Sequence, residues 1–113
     1  MPTLQEILDE RDAAIAILNQ KLQAAQDLQN AGAAGMDNTI KALLAQRTKV
    51  ATQAYAAAQS DPAMAQALAA LRAATAEMTT VAARMVSATT FITNVASLGT
   101  ATEKAVAALK GSS

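Results

Sequence analysis

The sequence predicts an all-α protein, an antiparallel helical hairpin followed by a long third helix, packed as a coiled-coil-like three-helix bundle. Two observations carry this prediction. Alanine, the best helix former, accounts for 31 of the 113 residues. Apolar residues also recur at alternating intervals of four and three over residues 64–95, which lines one face of an α-helix. Because alanine buries little apolar surface, we expect a thin core that gains stability from contact with another chain.

The first helix should span residues 4–30. Thr3 and Glu6 have the spacing of a capping box at its start. Gly32 and Gly35 should end it, because glycine readily takes the left-handed backbone conformation found at helix ends. The turn that they form is short, so the first and second helices should pair as an antiparallel hairpin.

The boundary between the second and third helices is the clearest in the chain. Asp61 is a favourable capping residue, and Pro62 is favoured in the first turn of a helix. We therefore predict a second helix over residues 38–59 and a third over residues 62–97. The third helix would project past the hairpin by roughly 14 Å at 1.5 Å per residue. Its apolar face continues over that overhang, which predicts an intermolecular contact.

The carboxyl-terminal part of this single predicted domain allows two interpretations. Gly99 interrupts the helical pattern, and Thr100 with Glu103 repeats the capping-box spacing, which predicts a short fourth helix over residues 101–110. The alternative is one continuous helix with a kink near Gly99.

Composition argues against several chemistries. The chain has no cysteine and no histidine, so it lacks the usual ligands of zinc and the base of Ser-His and Cys-His nucleophile systems. Nine basic and nine acidic residues balance each other, so no global field favours nucleic acid. The densest group of carboxylates complements the dipole of the first helix at its amino terminus; it consists of Glu6, Asp9, Glu10 and Asp12. We expect no enzyme activity, no catalytic residues, and no metal or other cofactor.

The apolar face of the third helix is the predicted interaction surface. Methionine side chains on it adapt to varied partners, and Phe91 lies beside the main stripe. Packing within the core of one chain is the alternative role for these residues. The candidate interaction residues are Met64, Leu68, Leu71, Met78, Val81, Met85, Phe91, Ile92 and Val95.

These features predict a small interaction or assembly module, such as an adaptor, an inhibitor or a structural accessory. It would engage a protein partner or a second copy of itself through helix three, and no nucleic acid. The alternative is a membrane-active protein that inserts its uncharged segment 85–102, although seven hydroxyl side chains make this segment polar for a membrane span. The acidic amino terminus does not resemble a signal peptide, which predicts a cytoplasmic protein and leaves non-classical secretion open.

Overall fold

A computed structural model of the protein describes residues 3–53 and 61–110. Within these two ranges the chain forms helices, turns and short connections, with no β-strand. The four helices are α1 (Leu4–Asn30), α2 (Met36–Thr52), α3 (Asp61–Ala83) and α4 (Ala88–Lys110). The predicted all-α class is therefore confirmed.

The helices form a bundle in which α1 and α4 lie on one diagonal. Helix α1 packs against α2 and α3, and α4 packs against the same two helices. Helices α1 and α4 also touch across the centre, whereas the described residues of α2 and α3 make no packing contact with each other. The consecutive pairs α1–α2 and α3–α4 are antiparallel hairpins. The bundle measures 50 × 22 × 20 Å.

The prediction of a single third helix over residues 62–97 is wrong. The chain turns back on itself at residues 84–87, between α3 and α4. The backbone N–H groups of Val86 and Ser87 donate to Thr90 Oγ1 at 2.9 and 2.8 Å, which satisfies donors at the start of α4. The fold-back lets the two halves of the apolar stripe bury each other. The expected overhang does not exist, and the argument for an intermolecular contact that rested on it is lost.

Helix α4 runs without interruption through Gly99, so the prediction of a separate helix over residues 101–110 is also wrong. Continuity of the helix through Gly99, which the alternative expected, is confirmed, but this helix begins at Ala88 and is not continuous with residues 62–83. A Cβ atom at position 99 would lie 2.9 Å from Gln46 Nε2 of α2. This glycine therefore serves the close approach of two helices and does not end one.

The amino-terminal boundaries follow the predictions closely. Helix α1 has the predicted bounds, and both bonds of its capping box form between Thr3 and Glu6, at 3.2 and 3.3 Å. Gly32 and Gly35 have the expected left-handed backbone, with φ of 96° and 80°.

Helix α2 departs from its predicted bounds at both ends. It begins at Met36, directly after the left-handed glycine turn, two residues before the predicted start. It ends at Thr52, because Gln53 takes an extended conformation. The rest of the predicted helix, residues 54–59, lies outside the described residues.

A continuous apolar core runs along the bundle axis and receives side chains from all four helices. Its largest fully buried members are Phe91, Ile7, Leu18, Met36, Leu43, Leu71, Met78, Met85, Leu98, Leu109, Val50 and Val106. The segment 85–102 is divided between the α3–α4 turn and α4. In the part of the chain that the structure describes, no helix is both long and apolar enough to cross a membrane.

Candidate functional site

The structure buries most of the predicted interaction residues inside a single chain. Six of the nine expose at most 7% of their surface, namely Leu68, Leu71, Met78, Val81, Met85 and Phe91. Met64 and Val95 are partly buried and pack against the same core. Only Ile92 among the nine is well exposed, at 47%. A partner could contact the other eight fully only if the bundle opened.

Of the four exposed large apolar residues that the structure describes, Val86 and Ile92 lie at one end of the bundle, whereas Leu4 lies at the start of α1 and Leu44 within α2. At the end that carries Val86 and Ile92, the α1–α2 turn and the α3–α4 turn lie together, since Gly35 faces the side chain of Ile92. We call this region, residues 21–37 and 84–92, the loop end. It includes Val86, whose 74% exposure is the highest of any large apolar residue in the described ranges.

An open groove of about 400 Å³ lies beside Val86 at the loop end. One wall comes from the last turns of α1, and the other from the α3–α4 turn and the start of α4. Two of its lining residues are charged and the others are apolar. They are Lys21, Ala24, Asp27, Leu28, Met85, Val86 and Phe91.

Lys21 joins the two walls of this groove. Its Nζ atom donates a hydrogen bond to the backbone carbonyl of Met85 at 3.2 Å and lies 5.8 Å from the centroid of the Phe91 ring. The Met85 carbonyl belongs to the turn and has left the helical hydrogen-bond ladder, so the ammonium group satisfies an otherwise free acceptor. The ring face adds a cation–π attraction. Lys21 thereby ties α1 to a turn 64 positions further along the chain.

Hydrogen bonds within the α3–α4 turn hold Val86 in its exposed position. Besides the two bonds accepted by Thr90 Oγ1, the backbone N–H of Thr90 donates to Ser87 Oγ at 3.4 Å. The pattern is that of a capping box in which threonine takes the place of the usual glutamate. Because this turn is already ordered, it would lose little conformational entropy when a partner binds Val86.

Sequence reasoning identified part of this site and missed the rest. Met85, Phe91 and Ile92 were among the predicted residues, but Val86 and Lys21 were not. The sequence does contain a signal for the α3–α4 turn. Hydroxyl residues stand at positions 87 and 90, a spacing that suits the start of a helix. No local signal connects Lys21 with the turn, because their contact depends on the packing of α1 against the end of α3.

A second groove, of about 430 Å³, runs between α2 and α4. Gln46 donates from Nε2 to the carbonyl of Val95 at 3.2 Å, and Lys49 forms an ion pair with Glu103. The Oε1 atom of Gln46 is buried and has no hydrogen-bond partner within the described residues. Since most polar groups of this groove bind one another, it is part of the contact between the two helices.

The amino-terminal carboxylates do not converge on a common point. Glu6 caps α1, and Asp9 accepts a hydrogen bond from Gln5. Asp12 lies 3.6 Å from Arg11. Among residues 3–53 and 61–110, no group of three or more histidine, cysteine, aspartate or glutamate side chains is arranged to hold a metal ion.

Comparison with known proteins returns no match, whether with family models, curated proteins or solved structures. The class of this protein is therefore defined by its fold alone, as all-α, with four packed helices within residues 3–53 and 61–110.

Proposed function

We propose that this protein is a non-enzymatic interaction module that binds a protein partner through its loop end, as an adaptor, an inhibitor or a structural accessory. The observation that carries the proposal is the 74% exposure of Val86 on a hydrogen-bonded turn beside an apolar groove. A single exposed valine is ordinary on a protein surface. Here Val86, Ile92 and the groove occupy the same end, and grouped apolar surface is typical of binding sites.

The shape and chemistry of the loop end suit an apolar anchor residue from a partner. The groove offers the half-buried Ala24 and Leu28 as apolar contacts, while Lys21 and Asp27 provide charged groups beside them. Interfaces commonly take their affinity from a few anchors that fill such recesses within a polar rim. Val86 would then cover the bound side chain from the side of the turn.

This proposed surface refines the one predicted from the sequence. It retains Ile92 and adds Val86 and Lys21, whereas Met85 and Phe91 are only 1% exposed and lie beneath the groove. Leu71 and Met78 are fully buried, so they support the surface by maintaining the core beneath it.

Site-specific charge substitutions test the proposal in the cell that produces the protein. Val86→Glu and Ile92→Glu should each weaken binding by about tenfold, or about 1.4 kcal/mol, and so lower the cross-linked yield of the partner. Leu44→Glu is the matched control, because Leu44 is an exposed apolar residue of α2, at 36%. Circular dichroism establishes that all three variants are folded. Equal partner yields from the three variants would contradict the proposal.

The same variants address the alternative of a membrane-active protein. Wild-type protein should not co-sediment with vesicles of phosphatidylcholine and phosphatidylglycerol. Co-sedimentation that Val86→Glu abolishes, in the absence of any protein partner, would favour the membrane function instead.

A further inference from the structure

We draw no further inference here: the strongest candidate, the groove between α2 and α4 that Ala42, Ala45, Ala96 and Gly99 line, presents a stripe of small residues, and its one buried polar atom without a hydrogen-bond partner in the described part of the chain, Gln46 Oε1, is shielded from solvent and therefore out of reach of a ligand.

Discussion

The side-chain oxygen of Thr90 lies 2.8 Å from the backbone nitrogen of Ser87, whose N–H group donates to it. The same oxygen accepts the N–H of Val86 at 2.9 Å. One hydroxyl thus accepts two N–H groups of the turn immediately before α4, of which the Val86 N–H also donates to the carbonyl of Arg84 at 3.2 Å. This turn divides one long apolar stripe into two helices that pack against each other.

Replacing Thr90 by valine should lower the free energy of unfolding by about 1–2 kcal/mol, because the isosteric side chain removes the acceptor and keeps the shape. Urea denaturation followed by circular dichroism measures the change. Thr93→Val is the control, since the Thr93 hydroxyl donates to the carbonyl of Thr89 within α4 and is exposed. The control should change stability by less than about 0.5 kcal/mol. Similar losses in both variants would contradict a special role for the turn.

Replacing Lys21 by methionine should lower the free energy of unfolding by about 1 kcal/mol. The substitution keeps most of the apolar stem but removes the hydrogen bond to Met85 and the cation–π contact with Phe91. Amide hydrogen exchange should rise in residues 84–87 and stay unchanged near Gly35. Lys41→Met, at an exposed position of α2, is the control. The prediction is wrong if both lysine variants have the same stability and exchange pattern.

Gly99 and Gln46 should be energetically coupled. Alanine at position 99 gains about 1 kcal/mol of helix propensity. When Gln46 is present, the added Cβ atom at position 99 would lie 2.9 Å from Gln46 Nε2. It would displace the Gln46 amide from the carbonyl of Val95. We therefore expect Gly99→Ala to be nearly neutral in the wild type and stabilising in a Gln46→Ala background. A double-mutant cycle in urea measures this coupling, and an equal gain in both backgrounds would exclude it.

Glutamate should have opposite consequences at two positions of the predicted interaction stripe. Met78 is fully buried, so Met78→Glu places an ionisable group in the core and should unfold the chain at neutral pH. Ile92 is 47% exposed, so Ile92→Glu should keep the helical circular dichroism spectrum. Thermal melts of the two variants compare them directly. Retention of a cooperative melt by Met78→Glu would mean that this face is not packed inside the monomer.

Much of the candidate site depends on which helices become neighbours, and sequence patterns alone do not specify this. Phe91 and Ile92 are adjacent apolar residues, yet Phe91 is 1% exposed and Ile92 is 47% exposed. The four-three spacing places Ile92 on the stripe and Phe91 beside it, which is the reverse of their burial. Their exposures differ because the side of α4 that carries Phe91 faces the core, whereas the side that carries Ile92 faces solvent at the loop end. The spacing of the stripe favours Ile92 over Phe91 as a core position, and the packing of α4 reverses that order.

Local sequence determined the all-α class, the bounds of α1 and the glycine turn after it. These features depend on interactions between residues a few positions apart, such as the reciprocal hydrogen bonds of Thr3 and Glu6. Only the tertiary structure decided that residues 62–97 fold back at the α3–α4 turn and that α4 continues through Gly99. One long helix and two helices folded against each other share the same apolar period. The choice between them depends on burying that face against distant parts of the chain, as Lys21 and Met85 show across 64 positions.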